Sequence, residues 1–170
     1  MNIVAEFVEQ YKLLPHPEGG YYKETYRSNT LIEKEALPEE FSGKRNISTA
    51  IYFLLEQGNF SAFHRIKSDE CWHFYAGKQL LIYVIEPSGH YYTIKLGSNA
   101  SNGEVFQAVV PANSWFASEP APESDYCFVG CTVSPGFDFE DFEDFELAKA
   151  EELINMYPSE KALISRLCRQ

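Results

Sequence analysis

Between Tyr21 and about Ser134 the chain passes through nine short runs of Tyr, Phe, Val, Ile and Thr, each separated from the next by turn material. This spacing limits the fold more than any other feature. The runs are YYKETYR (21–27), STAIYFLL (48–55), SAFHRI (61–66), CWHFYA (71–76), QLLIYVIE (79–86), HYYTIKL (90–96), VFQAVV (105–110), SWFAS (114–118) and YCFVGCTV (126–133). β-Branched and aromatic side chains suit a pleated, half-buried surface, and Gly-, Asn- and Pro-bearing stretches such as EQGN, EPSG and SNASNG break it. Strands repeated at this interval predict a sandwich or a jelly-roll barrel. QLLIYVIE is apolar on both faces, so a second sheet, a helix or a partner subunit has to cover its outer side.

Helical patterning flanks the strands. Ile3, Val4, Phe7, Val8, Tyr11 and Leu14 recur at helical spacing behind Asn2 as a cap, predicting a helix over 2–14 that PHPEGG ends. Residues 138–156 read as helical and acidic, with the tandem FEDFED (139–144) as a solvated helix start, and PSEKALISRLC as a last helix capped by Ser159. The fold class is therefore all-β with accessory helices, in one domain over 1–170: a sandwich or jelly roll at about 20–135 and C-terminal helices at about 140–169.

Charge narrows the partners. The net charge is −11, and eight acids against one Lys lie in residues 138–152. With no basic stripe or basic helix, nucleic acid is not expected as a partner. AIYFLL, the longest apolar run, is far short of a membrane span, so no membrane partner is expected. MNIVAEFVEQY lacks a basic leader, so a cytoplasmic location is expected. Cys71, Cys127, Cys131 and Cys168 lack zinc-type spacing and read as free thiols.

The chemistry concentrates in FHRIKSDECWHFYAG, residues 63–77. Gly58, His64, Ile66, Glu70 and Gly77 fall at the spacing G-x5-H-x-H-x3-E-x6-G, with Ile66 for the second His. This resembles the first motif of the cupin superfamily. A weaker echo of the second motif follows Gly103: Pro111 fits, Asn113 stands for a Gly, and Phe116 stands for the third His. The resemblance implies a double-stranded β-helix, the cupin jelly-roll barrel. A cupin metal is held by three His and one Glu, and only His64 and Glu70 remain, so neither metal nor other cofactor is expected.

GGYYKETY is similar to an early strand of the nucleotide-sugar 3,5-epimerases, aligning Gly20, Tyr21, Tyr22, Glu24 and Tyr26, with Gly19 where those enzymes carry Arg. The strings PHPEGGYYKETYRS, STAIYFLL, FHRIKSDECWHFYAG, VVPANSWFAS and GCTVSPGFDFEDFE resemble an uncharacterised branch of these RmlC-like cupins. The resemblance implies a homodimer, a carbohydrate-like or nucleotide-linked small-molecule ligand, and, if the chain is an enzyme, a metal-independent isomerase or epimerase. His64 would then be the base and Glu70 its orienter. The epimerases' general acid is a Tyr just before a Pro on a late strand. Here Thr132, Val133 and Ser134 stand there, leaving Tyr22, Tyr26 or Tyr126 as donors. The alternative is a sensor or carrier using the same pocket without turnover.

The expected ligand contacts are Tyr22, Glu24, Tyr26, Trp72, His73, Phe74 and Trp115. Alternation puts Trp72 and Phe74 on the face of Glu70 and His73 on the opposite one, while Trp115 belongs at the barrel mouth. Arg27, Arg45 and Arg65 read as surface charges, and His16 and His90 as turn residues.

Overall fold

The computed structural model describes residues 2–144 and 147–168. Its strands in chain order are β1 (Leu14–Pro15), β2 (Tyr21–Arg27), β3 (Leu31–Ile32), β4 (Arg45–Asn46), β5 (Thr49–Glu56), β6 (Ser61–Arg65), β7 (Asp69–Gly77), β8 (Leu80–Ile85), β9 (Tyr91–Leu96), β10 (Gln107–Val110), β11 (Trp115–Pro120), β12 (Tyr126–Ser134) and β13 (Glu143–Asp144). The helices are α1 (Ile3–Tyr11), α2 (Leu147–Met156) and α3 (Lys161–Arg166). All nine segments read as strands form one. The short pieces β1, β3, β4 and β13 carry too few residues to show a period.

Two sheets face each other, in the orders β1-β2-β5-β12-β7-β10 and β13-β6-β11-β8-β9. Non-consecutive neighbours such as β5-β12-β7 and β6-β11-β8 are the crossovers of a jelly roll. Between the sheets, Phe53, Leu55, Trp72, Ile82, Val84, Phe116, Val129 and Cys131 make the main core. Each comes from the inward-pointing set of its strand, since a strand places alternate residues on opposite faces.

The helices cover the outer faces. Leu54 and Phe128, on the outer side of the larger sheet, pack with Val4, Phe7 and Tyr11 of α1. Asn2 caps α1 by accepting from the Val4 amide at 3.1 Å. The helix stops at Tyr11, short of the expected Leu14, because Lys12 turns left-handed (φ 53°) and Leu14 joins a strand. On the smaller sheet Ile85, Trp115, Ala117 and Phe63 pack beneath Leu153, Ile164 and Leu167. On the outer side of QLLIYVIE, Tyr83 and Ile85 pack with this chain's own C-terminal helices.

Two C-terminal expectations are corrected. Ser159 lies within a 3-10 turn, Pro158–Glu160, and no side chain caps the start of α3. Phe139–Asp141 form another 3-10 turn, followed by β13 rather than a solvated helix. Of the expected helical segment at about 140–169, residues 145–146 and 169 lie outside the described residues.

Candidate functional site

A cavity of about 620 Å³ opens inside the barrel. Its walls follow from strand alternation. β2 supplies Tyr22 and Glu24, β5 supplies Thr49 and Ile51, and β12 supplies Cys131 and Val133. β6 supplies His64, β7 supplies Glu70, and Ile66 lies between these two strands. The two expected catalytic residues therefore line one cavity, together with two of the expected ligand contacts.

His64 is buried, with its ring 4.2 Å from that of Phe116 and 5.4 Å from that of Phe142 between centroids. Its Nδ1 lies 2.7 Å from the Ala62 carbonyl oxygen. A carbonyl oxygen can only accept, so Nδ1 carries a proton. The Ala62 carbonyl, two residues back on the same strand, thus does for Nδ1 what was expected of Glu70.

Glu70 makes other contacts. The Trp72 indole donates to its Oε2 at 3.2 Å, and the Cys131 thiol faces it from β12. Burial outweighs both donors and pushes its carboxyl up to about 7. The same enclosure holds the Cys131 thiol well above its usual range. At neutral pH Glu70 is thus divided between an acceptor-only carboxylate and an acid with a proton to give.

The other expected contacts lie elsewhere, each for a definable reason. A bulge between Glu24 and Tyr26 pairs Tyr26 with Ala50 and Arg27 with Thr49. Tyr26 is thereby turned to the outer face, where it is 55% exposed, and Arg27 takes its place at the cavity. Trp72 and Phe74 do share the face of Glu70, but Trp72 is core against Phe53 and Phe116, and Phe74 packs on Phe106 at the far end. His73 is on the outer face, its Nε2 3.0 Å from the Thr132 hydroxyl. Trp115 alternates with Phe116 and so faces the C-terminal helices, with the Arg65 guanidinium 4.7 Å above its ring. Of the tyrosines considered as acids, Tyr126 packs with α1 residues, leaving Tyr22 on the cavity wall.

Several wall residues escaped the sequence reading. Phe137, Asp138, Phe139 and Phe142 come from the strap after β12, which crosses the cavity and pairs through β13 with β6. Their rings lie 5.0–6.1 Å apart. Arg45, expected at the surface, is buried and holds Asp141 of this strap through Nε at 2.6 Å and Nη2 at 2.7 Å. Arg27 grips Glu24 with two nitrogens and donates to the Phe137 carbonyl at 3.0 Å. His16 from the PHPEGG turn also lines the cavity, edge-on to Tyr22 and Phe53. The available signals were the aromatic phase of FDFEDF and the proximity of PHPEGG to the first long strand.

The fold agrees with the comparisons. The profile of the cupin superfamily (DUF985) matches residues 5–145. The chain belongs to the cupin superfamily. It is 34% identical over 168 residues to uncharacterized protein YML079W of Saccharomyces cerevisiae, covering 94% of this chain and 82% of that one. Among solved structures, a hypothetical protein from Leishmania major is 33% identical with a TM-score of 0.85, covering 98% of both chains. Protein SO0799 from Shewanella oneidensis is 40% identical with a TM-score of 0.83, covering 96% of both. Bacillus subtilis oxalate decarboxylase, 16% identical with a TM-score of 0.54, shares the fold over 90% of this chain and 36% of its own.

The donor set does not fit the metal of the cupin motifs. Phe116 stands in register opposite His64, and Ile66 is buried among apolar neighbours, so two of four ligand positions cannot coordinate. Among the described residues no group of three or more His, Cys, Asp or Glu is placed to hold an ion. Cys127 and Cys131 are buried free thiols, and Cys71 and Cys168 are half-buried ones. No helix among the described residues is long and apolar enough to cross a membrane.

Proposed function

We propose that the cavity binds a small carbohydrate-like or nucleotide-linked ketone and isomerises or epimerises it without a metal, with His64 as the base. One observation carries this reading. The Ala62 carbonyl holds His64 through its Nδ1–H, on a ring that lines the cavity, so Nε2 is the nitrogen through which it would act as base. Proton abstraction next to a carbonyl needs such a nitrogen. Glu70, titrating near neutrality in the same wall, supplies a carboxyl able to hold or return a proton. The aromatic strap and Tyr22 offer apolar faces suited to a sugar ring or base.

The test is proton exchange. Candidate nucleotide-linked ketohexoses, free sugars and keto acids are first screened by thermal shift, since a ligand that binds only the folded state raises Tm. Binders are then followed by NMR in deuterium oxide. Wild type is expected to wash out the acidic carbon-bound proton, and His64→Asn to slow this about a hundred- to ten-thousandfold with a much smaller change in affinity.

A second reading is a receptor that uses the pocket without turnover. Thr132, Val133 and Ser134 stand in the stretch where the epimerases carry their acidic Tyr, and of these Val133 lines the cavity, which favours it. A ligand that binds tightly, exchanges no proton, and loses only affinity in His64→Asn would decide for the receptor. The proposed assembly is a homodimer through the outer face of the larger sheet, where Tyr75 is 51% and Val109 49% exposed.

A further inference from the structure

Phe139 differs from the other rings of its strap. Phe137 and Phe142 are half-buried against the main core, whereas Phe139 is 56% exposed although it lines the cavity. Its position is fixed nonetheless. Asp138 caps the 3-10 turn by accepting from the Glu140 amide at 2.9 Å. The Asp141 and Phe142 amides close the turn onto the Asp138 and Phe139 carbonyls at 2.9 and 3.2 Å. Two residues on, Arg45 clamps Asp141. Phe137 and Phe142 meet the Phe139 ring in T-shaped pairs, with centroids 5.0 and 6.1 Å away and planes at 80° and 72°. The file of rings continues inward to His64, whose centroid is 5.4 Å from that of Phe142. Exposure rises along it, from buried His64 through half-buried Phe142 to Phe139, which stands where the cavity meets solvent. A ring left half in water adds less to the core than its neighbours do, and one already held in place loses little entropy on receiving a second ring.

We infer that Phe139 is a stacking platform for the base of a nucleotide-linked ligand, which selects that class within the isomerase reading on which this rests. In such a ligand the diphosphate separates the base from the reacting sugar, so its two ends need recognition at two depths. His64 and Glu70 stand at the inner one and Phe139 at the outer one. Lys12, Lys23 and Arg27 on the same wall offset Glu24 and Asp138, so the charge between the two ends does not repel a diphosphate. Every base has a π-face, and a phenyl platform therefore favours a nucleotide over a free sugar without choosing among bases.

The test is binding to the full chain, read without turnover. Thymidine, uridine, adenosine and guanosine diphosphates are titrated by calorimetry beside free ketohexoses. Wild type is expected to bind at least one of the four diphosphates. Phe139→Ala is expected to weaken that binding about five- to a hundredfold. The Tm without ligand is expected to stay nearly unchanged, because the ring removed is an exposed one. Phe139→Leu keeps an apolar side chain but no ring. Proton NMR of the bound diphosphate is expected to show its base protons moved upfield in wild type and in Phe139→Trp, with most of that shift lost in Phe139→Leu. Equal affinity in wild type and Phe139→Ala, or an upfield shift that survives in Phe139→Leu, overturns the platform and leaves the isomerase reading standing. Free ketohexoses that bind where none of the four diphosphates does have the same effect. A wild type that binds neither class overturns the parent reading and this role with it.

Discussion

At the scale of single residues, Glu70 makes the most direct demand on solution behaviour. Its folded carboxyl sits at about 7 against an ordinary value of 4.5, chiefly because it is buried. An acid with a raised folded pKa binds more protons folded than unfolded between these values. Stability is therefore full below about pH 4.5, falls as pH rises to about 7, and is flat above. The span corresponds to about 3 kcal/mol as an upper estimate. Glu70→Gln removes the titration and is expected to flatten this part of the curve, gaining on wild type as pH rises from 5 to 7. Urea unfolding at a series of pH values checks it, and parallel curves for the two proteins would show Glu70 ionised throughout. That His64 and Glu70 face one cavity was legible in the sequence, since spacing along neighbouring strands fixes which side chains face inward. Their partners were not. The acceptor for His64 Nδ1 is a main-chain carbonyl, and backbone polar groups leave no mark in a pattern of residue types.

Elements show where periodicity works and where it fails. The nine long strands were readable because each repeats its inside–outside alternation several times. Tyr26 was misplaced because one extra residue in β2 reverses the alternation beyond it, and that bulge depends on pairing with β5. QLLIYVIE was correctly read as covered on both faces, but a strand pattern cannot name its cover. The strap was misread because its acids suggested solvent, whereas Asp141 is buried against Arg45 and its neighbouring Phe residues face the cavity. This latch gives a sharp expectation. Asp141→Asn leaves the Arg45 charge buried with the exposed Glu140 at 3.4 Å and the more distant Asp138 for compensation. The cost is expected to be about 3 kcal/mol, measured by urea unfolding. The double variant Arg45→Met with Asp141→Leu is expected to recover most of it, because apolar replacement of a buried pair is often neutral. A loss under about 0.5 kcal/mol in Asp141→Asn, the size of an exposed pair, would mean that Asp141 is solvated.

At the scale of the whole molecule, the question is what lies against the larger sheet. The C-terminal helices pack on Tyr83 and Ile85 on the outer side of β8, so that strand is no argument for a partner. α1 covers only part of the opposite outer face, around Leu54 and Phe128. Beyond it the face continues across β12, β7 and β10. There the Tyr75 ring lies flat over Gly130, where any side chain would collide with it, and is edge-on to Tyr52 at 6.0 Å. His73 stacks nearly parallel to Tyr75, and Val109 stands exposed on the edge strand β10. A flat, aromatic and largely uncharged sheet face suits a second copy of itself, since a two-fold axis sets the same patch on both sides. A stable interface needs about 800 Å² from each partner. Sedimentation equilibrium at micromolar concentration is therefore expected to give about twice the 19.5 kDa chain mass. Tyr75→Asp, which would place a charge at the centre of the buried patch, is expected to shift the protein to monomer with its far-ultraviolet circular dichroism unchanged. A wild type that sediments at 19.5 kDa would reject the dimer. A Tyr75→Asp protein that remains dimeric would move the interface to another face.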